Sequence, residues 1–140
     1  MTKAREATID LLASAREPLS ASDIHKEVGS RFDQATVYRT LHYLEGRGLV
    51  DSFILHCSEH GTERYYTARR HVDGEPTSHR HWFHCEACHR FTDLGECQLE
   101  PLMETFESKH GIVVRDHSLY LTGLCPGCAK SRAPKGPSND

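Results

Sequence analysis

No part of this 140-residue chain approaches the roughly 20 consecutive apolar residues that a membrane-spanning helix needs. Its opening, Met-Thr-Lys-Ala-Arg-Glu, sets charges where a secretory leader carries its apolar core, so a cytoplasmic location without a membrane partner is expected. An excess of positive charge is also missing. The formal net charge is -3, which excludes a bulk polycation, so any nucleic-acid contact must come from a local basic surface. No internal repeat runs through the sequence, and its length suits one larger domain or two small ones. What is abundant is histidine and cysteine, eleven and six residues respectively, and in a cytoplasmic chain these point to metal rather than to disulfides.

Up to about residue 70 the pattern is helical segments followed by a hairpin. A first helix starts at Thr2, with Ala7, Ile9, Leu11 and Leu12 ahead of the breaker Arg16-Glu17-Pro18. Ser20 reads as an N-cap with Asp23 three residues on, opening a short second helix with Ile24 and Val28 on one face. A third begins at Asp33 or Gln34, carries Val37, Leu41 and Leu44 at helical spacing, and ends at Gly46/Gly48. Leu49 to Cys57 and Arg64 to Thr67 are β-prone and flank a turn.

The stretch Arg69 to Ser78 has neither periodicity and reads as a hinge. Beyond it, His81–Cys85 and Arg90–Leu94 read as short strands. Leu99, Leu102, Met103 and Phe106 mark an amphipathic helix closed by Gly111, and Ile112–Arg115 and Ser118–Leu124 read as further strands. The divisions expected are 1–70 for the unit of helices and hairpin, 71–80 for the hinge, 81–128 for a second, small α+β unit and 129–140 for a disordered polar tail.

Two CxxC knuckles, Cys85/Cys88 and Cys125/Cys128, carry the strongest chemical signal. Together they offer four thiolates to one tetrahedral Zn2+ at about 2.3 Å, which leaves no open position and makes the site structural. A redox CxxC would open a helix after a strand, whereas two copies at hairpin-like turns are expected here. A zinc deaminase is also a poor match: His25-Lys26-Glu27 supplies its H-x-E, but Pro126 follows Cys125 instead of preceding it.

A softer cluster is His79 and His81, which share a face of an extended strand, with Glu100 and His117 as companions and Asp93 as a spare carboxylate. Such a nitrogen/oxygen set accepts Zn2+, Fe2+, Mn2+ or Ni2+, and solvated surface histidines would give the same pattern. Cys57 and Cys97 are left over and read as small buried hydrophobes, with ligation or oxidation as the alternative.

Helix, turn, helix and hairpin is the order of a winged helix, whose second helix enters the major groove. Gln34, Thr36, Tyr38 and Arg39 are its candidate base-reading residues, and a merely solvated outer face is the alternative. Lys3, Arg5 and Arg64, with Arg69 and Arg70, are candidate phosphate contacts.

The run Ala35-Thr36-Val37-Tyr38-Arg39-Thr40-Leu41, both CxxC pairs, His110-Gly111-Ile112 and His117-Ser118-Leu119-Tyr120-Leu121 resemble the ferric uptake regulator (Fur) family from about Thr2 to Cys128. The resemblance implies an α+β protein: an N-terminal winged helix-turn-helix followed by an α+β dimerisation domain with a structural four-cysteine zinc site. It implies a homodimeric metal-responsive repressor that binds a double-stranded DNA operator, not an enzyme with a small-molecule substrate. It carries His79, His81, Glu100 and His117 onto the four positions of one regulatory site, with Asp93 in reserve, for a second divalent ion, Zn2+ or Fe2+. The family's interdomain sensor positions hold Pro18, Tyr66, Arg80 and Trp82 here. One inserted residue would instead give His79 and His81 to that site, with Asp51, His71 and Asp93 as companions.

Among the family's signals zinc is expected first and iron next, with peroxide sensing a further alternative. The resemblance begins near the family's second helix, so DNA affinity and salt dependence are expected to differ from those of members with a leading segment. His56, Cys57 and His60 in the wing match no family ligand. Two readings from other classes are a zinc-binding interaction module without DNA function and a zinc hydrolase that uses His79, His81 and Glu100.

Overall fold

A computed structural model describes residues 1–29 and 31–131. Local capping starts each of the first three helices. Thr2 caps α1 (Lys3–Ser14) by accepting from the Arg5 N–H at 3.2 Å. Ser20 and Asp23 exchange hydrogen bonds of 3.0 and 3.1 Å, the capping box that opens α2 (Ala21–Val28). Asp33 accepts from the Thr36 N–H at 2.8 Å and starts α3 (Gln34–Gly46). Leu12, Ile24, Val28, Val37, Leu41 and Leu44 from these helices interdigitate into one core.

That core is closed by a sheet. β1 (Leu19–Ser20) and β2 (Val50–Cys57) flank β3 (Gly61–Ala68), all antiparallel, with β2 and β3 in register from Val50↔Ala68 to Cys57↔Gly61. Val50 and Tyr66 point into the helical core. The expected hairpin is therefore present, and α3 runs directly into it. In the stretch read as a hinge, β4 (His71–Val72) and β5 (Glu75–Pro76) form a small ribbon, a regular element that composition did not suggest.

A second sheet is centred on β6 (Arg80–Cys85), which pairs antiparallel with β7 (Phe91–Glu96) and parallel with β8 (Tyr120–Gly123). Between β7 and β8 lies α4 (Glu100–His110). Pro101 fits its first turn, and Gly111 ends it at φ +68°, a left-handed conformation that glycine adopts without steric cost.

Two expectations need correction here. Ile112–Arg115 forms no strand: the Val114 N–H goes to the Glu107 carboxylate at 2.8 Å, and a lone β-prone segment has no ladder without a partner. Residues 129–131, expected in a disordered tail, are helical, because α5 (Pro126–Ser131) continues the second knuckle. Residues 132–140 of the expected disordered tail lie outside the described residues.

α4 buries none of its side chains. Leu102, Phe106, Ile112, Val113 and Leu121 are all exposed, and Val113 keeps 75% of its surface.

Candidate functional site

The knuckles meet because β6 ends at Cys85 and α5 starts next to Cys125. The turn after β6 is fixed by Cys85 N–H donating to Arg90 O at 3.0 Å and His89 N–H to Cys85 O at 2.9 Å. The sulphurs of Cys85, Cys88, Cys125 and Cys128 lie within 4.8 Å of one another. A tetrahedron with bonds of about 2.3 Å has edges of about 3.8 Å, and Cys88 Sγ and Cys125 Sγ are 3.8 Å apart. Backbone N–H groups of Cys88 and Cys125 point at Cys85 Sγ from 3.5 and 3.4 Å, and they bring its thiol down to about 5. Cys128 is pushed up to about 12 by its bonds to Cys125 and Cys85. Crowded sulphurs that resist joint ionisation become stable thiolates around a dication, so this donor set fits a structural Zn2+.

The second group is equally compact. His79 Nε2 is 3.2 Å from His81 Nε2 and 3.0 Å from His117 Nε2, and the last two are 3.3 Å apart. For nitrogen ligands at about 2.0–2.1 Å the tetrahedral edge is about 3.3 Å, so the triangle is already of ligand size. His81 Nδ1–H donates to Leu119 O at 3.1 Å, which selects the tautomer with a free Nε2 facing the group. Burial, then the neighbouring imidazoles, lower His79; burial chiefly lowers His81, and both effects favour the neutral, ligating form.

The fourth member of this group is Cys97, with Sγ 3.2 Å from His117 Nε2. Glu100, expected there, opens α4 and stays outside the group, at a helix N-terminus that favours a carboxylate. Asp93 is likewise not a free ligand: Arg80 Nε donates to both its oxygens at 3.0 and 2.9 Å, and the Gly95 N–H adds a third bond. Asp51 pairs with Arg69. His71 belongs to none of the ligand groups found among the described residues. The signal for Cys97 was hairpin register. Beyond Arg80↔Glu96 the next residues are His79 and Cys97, joined by Cys97 N–H to His79 O at 2.8 Å.

On the other unit, Gln34, Tyr38 and Arg39 are exposed near the start of α3, with Tyr38 at 51%. Arg39 donates to Thr36 Oγ1 at 3.2 Å. Lys3 and Arg5 of α1 line the same shallow cavity of about 420 Å³ as Thr36 and Arg39, so these cations gather beside the N-terminus of α3. Arg5 lies 3.5 Å over the Tyr43 ring. Arg64 is set apart on β3. It donates to Ser52 Oγ at 2.8 Å, and Ser52 in turn donates to Glu45, so that its charge is partly engaged.

Among the described residues no helix is long and apolar enough to cross a membrane. The chain is 32% identical over 132 residues to the ferric uptake regulation protein of Bacillus subtilis (strain 168), covering 91% of this chain and 84% of that protein. Its fold is similar to the Helicobacter pylori ferric uptake regulator, whose structure is described as revealing three functional metal binding sites. The TM-score is 0.67 at 20% identity, with 95% and 84% of the two chains covered. A zinc uptake regulator solved in complex with zinc and DNA superposes with TM-score 0.66 at 25% identity, covering 92% and 83%. The sequence model of the ferric uptake regulator family matches residues 1–122. With that match, this order of helices and sheets and these clustered thiols and imidazoles, the chain belongs to the ferric uptake regulator family.

Proposed function

We propose that this family member is a homodimeric, zinc-responsive transcriptional repressor that binds a double-stranded DNA operator when a regulatory ion fills the His79–His81–Cys97–His117 group. The observation that carries the choice of ion is Cys97. A thiolate beside three imidazoles makes a softer set than imidazoles with a carboxylate, and soft ligands favour Zn2+ over Fe2+ or Mn2+. Cys85, Cys88, Cys125 and Cys128 would hold a separate structural Zn2+ that stays in place while the regulatory ion exchanges. The likeness to a zinc uptake regulator bound to zinc and DNA supports this reading.

In this reading residues 1–70 read the DNA, 71–80 connect, and 81–128 dimerise and bind metal. His79, the last residue before β6, and His81, its second residue, stand where the connection meets the second unit and share a cavity of about 390 Å³ with Asp51 and Arg69 of the first unit. Metal there would fix how the two winged helices of a dimer face the operator, a shift in population toward the binding-competent arrangement. Gln34, Thr36, Tyr38 and Arg39 would read base edges, while Lys3, Arg5 and Arg64 would meet phosphates. The role is regulatory, with no catalytic residue assigned.

An iron-responsive role is the second reading, and the 32% identity to a ferric uptake regulation protein favours it. The experiment is an anaerobic titration of the zinc-structured protein with Zn2+, Fe2+ and Mn2+ while binding to its own promoter is measured. Zinc should drive binding at the lowest free concentration. A response to Fe2+ alone would make the protein an iron regulator, and no response to any ion would leave an interaction module without DNA function.

A further inference from the structure

Three side chains without a role in that scheme converge where the β2–β3 hairpin tip meets the β6–β7 turn. Cys57 Sγ lies 4.0 Å from His60 Nδ1 and 3.9 Å from His89 Nδ1. The two rings are 4.4 Å apart at their centroids, and one ligand atom from each residue falls within a common 4.8 Å. Cys57 closes β2, His60 sits in the turn before β3, and His89 follows Cys88 directly. The group thus joins two sheets.

Its tautomer is prepared for ligation. His89 Nε2 is 2.6 Å from a Glu59 carboxylate oxygen, so Nε2–H donates there and the Nδ1 lone pair faces Cys57. A carboxylate behind a ligating imidazole is the usual outer partner of a protein-bound metal. An ion with bonds of about 2.3 Å to sulphur and about 2.0 Å to nitrogen sets those atoms about 3.5 Å apart, so closure by about half an ångström is enough.

We propose that Cys57, His60 and His89 form a third metal site, for a borderline-soft divalent ion of the Zn2+ class, with its fourth position open to water. Three ligands and an exposed His60 make it more exchangeable than the closed four-cysteine site. Occupation would lock a contact that already exists: the His56 N–H donates to Tyr120 Oη at 3.1 Å, and Phe53 and Tyr65 of the hairpin pack against Phe91. The ion would therefore clamp the hairpin that follows α3 onto the β6–β7 turn, which carries Cys85 and Cys88 of the four-cysteine site. This inference stands without the operator-binding reading.

The test uses the full chain with its four-cysteine zinc in place, in a Cys97→Ser background that removes the other thiol outside that site. Titration with Co2+ should develop a thiolate-to-cobalt charge-transfer band that saturates at one equivalent and is lost when Cys57→Ser is added. In the unsubstituted protein, alkylation of Cys57 mapped by mass spectrometry should slow by about tenfold when Zn2+ is added, and His60→Ala should abolish that protection. Absence of the cobalt band, or a Cys57 alkylation rate indifferent to Zn2+, overturns the proposal.

Discussion

With its thiol 3.2 Å from His117 Nε2, Cys97 makes the three imidazoles part of a mixed nitrogen and sulphur set, and on a bound ion its thiolate would supply a negative charge that imidazoles lack. Loss of an outer-shell partner costs roughly 10–100-fold in metal affinity, so loss of a direct ligand, the role proposed for Cys97, should cost at least that much. Chelator competition on Cys97→Ala should therefore show regulatory Zn2+ bound more weakly by at least about 10-fold, with the four-cysteine zinc retained. Glu100→Gln should leave that affinity nearly unchanged; a large loss in Glu100→Gln would return the carboxylate to the site. The two CxxC pairs were legible because each knuckle is local and its chemistry is written in its spacing. Cys97 was not, since its partners lie 16 to 20 residues away and meet it only through the β6–β7 register and the return of the chain before β8.

The helix α3 shows how an element combines a local start with a tertiary anchor. Leu41 is fully buried among Ile24, Val37 and Leu44, so Leu41→Ala should cost about 2–5 kcal/mol in urea unfolding, the range for buried leucines cut to alanine. At the N-terminus the bonds from Thr36 hold the Asp33 carboxyl below its ordinary 3.8. A carboxyl with a depressed folded-state value stabilises the fold above its unfolded value and loses that contribution as pH falls through the folded one. The gap in urea midpoint between the natural protein and Asp33→Ala should accordingly be full near neutrality and shrink below about pH 4; a gap constant with pH would show that the cap does not act through its charge. Caps of this kind, like Ser20 with Asp23, were legible because donor and acceptor are three residues apart. The expected strand at 112–115 was legible only as a propensity, and propensity forms no ladder without a partner strand. The reverse holds at 71–76, where a short ribbon forms from a stretch with no periodic pattern.

At the scale of the whole molecule, the amphipathic pattern of α4 was legible, yet its apolar side chains cover nothing within one chain. Leu102, Phe106, Ile112, Val113 and Leu121 stay exposed on and beside α4 and β8, and a second copy is the occupant that the proposed homodimeric repressor requires. Dimerisation matters to reading because two recognition helices must meet half-sites about 34–36 Å apart or a multiple of that, a spacing one winged helix cannot supply. Charge on this face should then act at a distance. Phe106→Glu combined with Val113→Glu should give a monomer by sedimentation, keep its four-cysteine zinc and lose operator binding, although neither residue belongs to α3. Arg39→Ala should do the converse, leaving the dimer and metal binding intact while weakening operator binding by about 10-fold, the scale of one lost groove contact. A dimer that survives both glutamates would move the contact to another surface, whereas a monomer that still bound the operator with natural affinity would remove symmetry from the mechanism.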